Sequence, residues 1–174
     1  MPKLLWLLLT VLFIFSVVEV NAEERWRLIL DGEQIKHFFD VDSIKVVSDN
    51  DNNRIYLDVW IKVAYNGTEK NTYRESLRKA QIPTQGYENF GYAINHVLFE
   101  DGRVCLLGVY DYTNTGVILR SFDSPLRHWL DIVPGSTIEV WYQQVMAFAT
   151  ANMRTIIERM RDYTGENGSS HFFI

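Results

Sequence analysis

The clearest alternation of apolar and polar residues lies at positions 54–65, where the sequence reads RIYLDVWIKVAY. Apolar side chains recur at every second position, which is typical of a β-strand with one buried face. The opposite face carries Trp60 beside Asp58 and Lys62, so we expect it to be only partly exposed. Because strands average about 5–6 residues, this long segment is predicted to be the central strand of an antiparallel sheet.

Shorter apolar stretches on either side predict the neighbouring strands. Asp101-Gly102 separates two of them and is typical of a tight hairpin. Gly108 lies within another, where the missing side chain indicates a bulge or a close contact with a helix. The stretches lie at residues 25–30, 36–41 and 44–47 before the central strand, and at 92–99, 103–112 and 117–122 after it. The last three predict an antiparallel meander.

The C-terminal part of the chain predicts one long helix. Ser136 is followed three residues later by Glu139, a pattern typical of a helix N-terminus. Apolar residues then recur at spacings of three and four as far as about Arg161, which indicates a buried helix face or a dimer seam. Asn152 interrupts this stripe, so we expect the second half of the helix to extend past the sheet.

Residues 66–91 form the least regular part of the chain. Residues 73–80 are predicted to form two helical turns, with Thr72 as the N-cap and Glu75 completing a capping box. Compact domains rarely need so long an excursion between strands, so this one is a candidate functional segment. A flap that covers one sheet edge is the equally weighted alternative.

Five residues of this excursion are the candidates for a binding surface: Tyr73, Arg74, Arg78, Lys79 and Tyr87. Three cations beside two tyrosines suit the docking of an acidic segment of a protein partner. A solvated helix face is the alternative, because runs of charge usually face water.

Residues 1–22 are predicted to be an export signal peptide. Lys3 gives a positive start, residues 4–18 are almost entirely apolar, and Val20-Asn21-Ala22 offers the small residues of a cleavage site. The apolar run is shorter than the roughly 20 residues that a membrane-spanning helix needs, and an uncleaved N-terminal anchor is the alternative. We therefore expect a bacterial protein that is exported, to the periplasm, the cell surface or the medium, and that meets a membrane only through this segment before cleavage.

The mature part is predicted to contain a single α+β domain at residues 23–163, followed by a flexible tail at 164–174 that contains Gly and Ser. The formal net charge is −5 and the chain has no long basic run, so nucleic acid is not an expected partner. Cys105 is the single cysteine, which excludes an internal disulfide and a cysteine-rich metal site. We expect its thiol to be buried and unreactive, an intermolecular disulfide being the alternative.

The sequence offers no nucleophile motif, phosphate-binding loop or metal-ligand spacing. His96 alternates with apolar residues, and we expect a core or half-buried histidine with its hydrogen bonds satisfied rather than a metal ligand. The sequence leaves open whether four aspartates come together in space, although such carboxylates usually lie on the surface. They are Asp58, Asp111, Asp123 and Asp131. We therefore predict a protein that is not an enzyme and has no catalytic residues, no cofactor and no metal.

A groove between the C-terminal helix and the sheet is the rival site. Trp60, Tyr110 and Trp141 are the aromatic residues expected to line it. Ligand pockets are mostly apolar with a few polar groups, so this interpretation gives a small-molecule-binding protein or an enzyme. A structural envelope protein with no specific ligand is a third option.

Several segments, taken in their order along the chain, resemble the surface-adhesin protein E family of bacterial exported proteins. The likeness extends in pieces over residues 26–149. The matching features are Trp26, FFDVDSI at 38–44, the strand IYLDVWIKVAY with Trp60 and Lys62, the strand around Cys105, and WLDIVPGSTIE with Trp129, Ile132, Pro134, Ser136 and Glu139.

The resemblance implies an α+β fold, with an antiparallel sheet of about six strands and a long C-terminal helix packed on its concave face. It also implies a non-enzymatic envelope protein, the best-known member being a lipid-anchored surface adhesin that binds host matrix and plasma proteins. In that member cysteines pair the helix with the sheet, whereas here Cys105 is alone and the helix carries Val145 and Met146. We expect adhesin-like binding of a host or envelope protein, with a homodimer through a sheet edge or the helix face as a further option.

Overall fold

The computed structural model describes residues 25–49 and 54–166, with side chains described as far as residue 160 except at 49. The predicted signal peptide at 1–22 lies outside the described residues, as do residues 167–174 of the predicted tail.

Eight strands form one antiparallel sheet over the described residues. The order across the sheet is β1-β2-β4-β5-β6-β7, with β3 pairing with β4 and β8 pairing with β6 off this path. The strands are β1 (Trp26–Asp31), β2 (Ile35–Asp40), β3 (Lys45–Asp49), β4 (Arg54–Tyr65), β5 (Phe90–Glu100), β6 (Arg103–Thr113), β7 (Ile118–Asp123) and β8 (Trp129–Asp131). The predicted α+β fold, with an antiparallel sheet of about six strands and a C-terminal helix, is confirmed.

The central strand is the one that the alternation predicts. β4 pairs with β2 on one side, where Ile61 lies opposite Phe39, and with β5 on the other, where Val59 lies opposite Val97. All four of these apolar side chains are buried in the main core. This face is buried from Leu57 to Val63, whereas Ile55 at the start of the strand is 67% exposed. Its burial fixes the register, since a slip of one residue would turn the buried side chains to water.

Two helices lie on the face of the sheet to which Val59 and Val63 point; we call this the helix face and the opposite one the outer face. They are α1 (Glu69–Lys79) and α2 (Thr137–Glu166), so the backbone is helical at 164–166, within the predicted tail. Neither helix, nor any other in the described part of the chain, is both long and apolar enough to span a bilayer.

The start of α1 corrects the sequence prediction. The N-cap is Thr68 rather than Thr72, and Thr72 lies inside the helix with its amide bonded to the Thr68 carbonyl at 3.1 Å. The chain turns at Gly67, whose positive φ of 52° suits glycine. The helix therefore begins directly after that turn, one helical turn earlier than the capping pattern indicates.

The start of α2 agrees with the predicted cap. The Glu139 amide donates to Ser136 Oγ at 3.2 Å. The Glu139 carboxylate in turn accepts from the Gly135 amide at 2.6 Å, one residue before the amide used in a standard capping box. The first bond satisfies an amide in the first turn of the helix, where intrahelical partners are lacking. The second holds the turn that precedes the helix.

The second half of α2 does not leave the sheet, so that expectation is wrong. Asn152 has non-helical φ and ψ of −118° and 16°, and its side-chain amide donates to the Phe148 carbonyl at 2.8 Å. The helix kinks there and continues along the core, where Ile156 is 0% exposed. Arg159 then donates to the Val41 carbonyl at 3.1 Å. The helix therefore kinks at Asn152 and stays packed on the sheet, rather than extending past it.

A smaller core lies on the outer face, beside β8. Tyr56, Leu98 and Cys105 are buried there, and Trp129 of β8 covers them with its ring 5.1 Å from that of Tyr56. The Cys105 thiol is fully buried, as predicted, and burial raises its pKa. The sequence analysis missed β8 because three residues are too short to show an alternation.

Candidate binding surface

The buried carboxylate of Asp111 organises the excursion between β4 and β5. It accepts hydrogen bonds from the hydroxyl groups of Tyr73 at 2.8 Å and Tyr87 at 2.6 Å, and from Arg120 Nε at 2.8 Å. Asp111 itself is 0% exposed. A buried carboxylate is tolerated when its charge is paired and its oxygens accept hydrogen bonds. Asp111 meets both conditions, because it has three donors and one of them is cationic.

This network removes the two tyrosines from the predicted binding patch. Burial, together with the Asp111 charge and hydrogen bonds, raises the pKa of both Tyr73 and Tyr87. Their hydroxyl groups therefore stay protonated and donate inward. Their function is to hold the excursion to the sheet, which favours the covering-flap interpretation for this part of it.

The three predicted cations stay on α1 but do not meet the tyrosine hydroxyls. Arg74 donates to Asn71 at 3.0 Å, and Arg78 pairs with Glu75 one turn away. Lys79 is exposed. The side chains of Arg74, Arg78 and Lys79 thus form a basic helix surface in which two members already have local partners.

The predicted aromatic groove is divided between the two faces of the sheet. Trp141 lies on the helix face, where its indole Nε1 donates to His37 Nδ1 at 3.1 Å. Trp60 and Tyr110 lie on the outer face, with their rings 5.4 Å apart. Since Val59 and Ile61 point to the helices, the alternation along β4 sends Trp60 the other way.

The outer face carries a stack of rings at its centre. The Trp60 and His96 rings are stacked, with centroids 4.3 Å apart and planes at 5°. His96 Nε2 lies 2.7 Å from Asp58 Oδ1, and both side chains are about a fifth exposed. The prediction of a half-buried histidine with a partner is confirmed.

Gly108 makes room for the next ring of the stack. A Cβ at that position would lie 2.9 Å from the Tyr110 hydroxyl and 3.0 Å from the Phe122 carbonyl. The Tyr110 hydroxyl donates to Asp123, and this bond, with some burial, raises the pKa of Tyr110 to about 12. The predicted bulge lies next to Gly108, but its close contact is with a tyrosine and not with a helix.

Lys62 continues this surface toward β1. Its ammonium lies 4.5 Å from the Tyr92 ring centroid and 5.6 Å from that of Trp26. The Tyr92 ring stacks on Tyr112 at 5.0 Å. We call the half-buried side chains of Trp26, Trp60, Tyr92, Tyr110 and Tyr112 the aromatic row; it crosses the outer face from β1 to β6. Neither described helix packs against it.

An apolar cavity of about 140 Å³, partly open to solvent, lies between α2 and the sheet, away from the three predicted groove residues. Drug-sized pockets are roughly 300–1,000 Å³, so this one fits a single ring or a short alkyl group. Its lining is mainly apolar and includes Val46, Ile55, Leu57, Phe99, Met146 and Met153.

The four aspartates that were left open do not meet at one site. Asp111 is buried on the helix face, and Asp58 and Asp123 lie on the outer face with separate partners. Asp131 lies on β8, opposite Arg103. Among the side chains that the structure describes, at residues 25–48 and 54–160, no three His, Cys, Asp or Glu are grouped as a metal site requires.

Comparison with protein-family models, curated proteins and solved structures gave no match. The resemblance to the surface-adhesin protein E family therefore stays a prediction.

Sequence reasoning missed two features of the site, the Arg120 contact with Asp111 and the rings around Lys62. The alternation along β4 does place Trp60 and Lys62 on one face, but their neighbours come from strands far away in the sequence.

Proposed function

We propose that this chain is an exported, non-enzymatic protein of the bacterial envelope that acts by binding a host or envelope protein in an adhesin-like manner. The outer face of the sheet is its binding surface. The observation that carries the proposal is the aromatic row, five half-buried rings on the face that neither helix occupies. Trp60 lies next to Tyr110 and Tyr92 next to Tyr112, and Lys62 contacts both Tyr92 and Trp26.

The composition of the row supports recognition of a protein. Aromatic residues are enriched at protein interfaces and supply a large share of the binding energy there. Tyr and Trp combine large apolar area with a polar group at one end. By contrast, α2 fills the helix face with buried Val145, Ala149 and Ile156, which leaves the outer face as the broad open surface.

The proposed export rests on the sequence at 1–22, with its positive start, apolar run and small residues before Glu23. The resemblance in segments such as WLDIVPGSTIE supports an envelope protein of the adhesin type. We propose a periplasmic, cell-surface or secreted location for the mature chain.

The test compares two variants of the mature domain in quantitative capture from envelope and host-matrix extracts. Trp60→Ala combined with Tyr112→Ala removes two rings of the aromatic row. The matched control replaces Arg74, Arg78 and Lys79 with Ala on α1. We expect the first variant to lose specific partners that the second retains, and purified partners to reproduce the difference by calorimetry. Loss only in the α1 variant would transfer the site to the excursion, and equal capture by both would refute the proposed surface.

The small-molecule alternative is kept because of the cavity beneath α2. Apolar cavities of about 150 Å³ bind molecules the size of benzene. Titration with toluene, followed by NMR shifts of Met146 and Met153, tests this alternative. A Thr150→Leu variant, altered at the cavity wall, is the control that should weaken such binding.

A further inference from the structure

Lys62 lies at the centre of the outer face without a carboxylate partner. No ion pair joins it to any acidic side chain in the described part of the chain. Its charged neighbours on this face are engaged: Arg25 with Asp40 at 2.6 Å, Lys36 with Asp31 at 2.7 Å, His96 with Asp58 at 2.7 Å, and Lys45 in a contact of its own.

The surroundings of Lys62 make this charge unusual. The ring faces of Tyr92 and Trp26 lie against the ammonium, and burial lowers the pKa of Lys62. Cation–π contacts offset part of the lost hydration, but a half-buried cation is still best stabilised by an anion. The site therefore has an anion-binding group set within apolar surface.

We propose that the outer face binds an acidic, aromatic-containing segment of a protein partner, with one carboxylate docked on the Lys62 ammonium. Apolar side chains of the same segment lie on Trp60 and on the rings of Tyr92 and Tyr112. This inference rests on the proposed binding role of the outer face and adds the chemistry of the partner.

The charges around Lys62 favour a single carboxylate over a polyanion. Asp58 and Asp123 lie beside the Trp60 and Tyr110 rings, so sulfated or phosphorylated chains would bring like charges together. A lone Asp or Glu flanked by apolar residues avoids that repulsion.

The spacing of the row indicates the pattern of the segment. Trp60 and Lys62 are two residues apart on β4, a separation of about 6.6–6.8 Å along a strand. An extended segment running along β4 places alternate side chains over Trp60, Lys62 and Ala64. Tyr92 lies opposite Ala64 on β5 and offers the second ring. The expected pattern is therefore aromatic, any residue, acidic, any residue, aromatic.

The experiment measures the affinity of the capped peptide Phe-Ser-Glu-Ser-Phe and of its glutamine counterpart, by NMR titration of the mature domain. We expect the glutamate peptide to bind about tenfold more tightly, since a charge-assisted contact is replaced by a neutral one. Lys62→Gln should abolish that difference. Lys36→Gln is the matched control, because it removes a cation of the same face that already has a partner, and it should preserve the difference.

The outcomes separate this inference from the proposed function. If both peptides bind the wild type equally, and Trp60→Ala weakens the binding of both, the role of Lys62 is overturned and the outer face remains the binding surface. If the peptides cause no NMR shifts on the outer face, and the variant with Trp60→Ala and Tyr112→Ala captures the same partners as the wild type, the role of Lys62 and the proposed function are both overturned. A hyaluronate oligosaccharide that binds more tightly than the peptide, and depends on Lys62, overturns the assignment to a protein segment.

Discussion

Trp141 Nε1 donates a hydrogen bond to His37 Nδ1 across 3.1 Å, and this contact joins the first turns of α2 to β2. The bond requires Nδ1 to carry no proton, so His37 is neutral in the folded protein. Burial acts in the same direction and lowers the pKa of His37 from its ordinary value of 6.5. One hydrogen bond between helix and sheet therefore depends on pH.

His37 should make folding stability fall in acid. The unfolded chain takes up a proton near pH 6.5, whereas folded His37 resists it, so the free energy of unfolding decreases as the pH drops through 6.5 and levels off below the folded pKa. The slope is at most about 1.4 kcal/mol per pH unit. Urea unfolding of the wild type and of His37→Gln between pH 7.5 and 5 measures it. The same slope in both proteins would contradict this role.

Arg120→Met should destabilise the protein by about 3–5 kcal/mol, because it leaves the carboxylate of Asp111 buried without its counter-charge. Arg78→Met is the control, since its pair with Glu75 is exposed, and it should change stability by less than about 1 kcal/mol. Adding Asp111→Asn to Arg120→Met should recover part of the loss. Equal effects of the two arginine variants in urea unfolding would count against the network.

Ile156→Ala should destabilise the protein by about 2–5 kcal/mol, as expected for a large-to-small change in a core. Its neighbour Ile157 is 39% exposed, and Ile157→Ala should cost less than about 1 kcal/mol. This pair tests whether α2 stays on the sheet beyond the kink at Asn152. Similar small losses would mean that the second half of the helix does not pack there.

Gly108→Ala should displace the Tyr110 ring, because the new Cβ would lie 2.9 Å from its hydroxyl and 3.0 Å from a backbone carbonyl. The bond to Asp123 is then lost, and the pKa of Tyr110 should fall from about 12 toward 10. Ultraviolet titration, with Tyr110→Phe to assign the transition, measures the shift. Gly102→Ala, where a Cβ meets nothing within 4 Å, should leave it unchanged.

Self-association, where it occurs, should use the free edge of β7. Ile118 and Phe122 on that strand are 52% and 46% exposed, and residues 118–123 contain neither lysine nor proline to block edge pairing. Ile118→Lys should lower the dimer fraction in analytical ultracentrifugation, whereas Leu28→Lys on β1 should not. A wild type that is monomeric at every concentration, or a dimer indifferent to Ile118→Lys, would argue against this edge.

The sequence by itself determined the local elements. The alternation at 54–65 gave the bounds of β4, and Ser136 with Glu139 gave the start of α2, because period and capping depend on residues close together in the chain. Burial of Cys105 also followed from its apolar strand. The short β8 and the early start of α1 were missed, since three residues show no period and a turn at Gly67 competed with the capping pattern.

Only the tertiary structure decided which side chains meet. Tyr73 and Tyr87 read as surface residues beside cations, but the fold directs both to Asp111, 38 and 24 residues further along the chain. Trp60 and Trp141 read as one groove, but lie on opposite faces. Such contacts depend on strand order and on the side that the helices cover, and these follow from burying the whole sheet rather than from any local pattern.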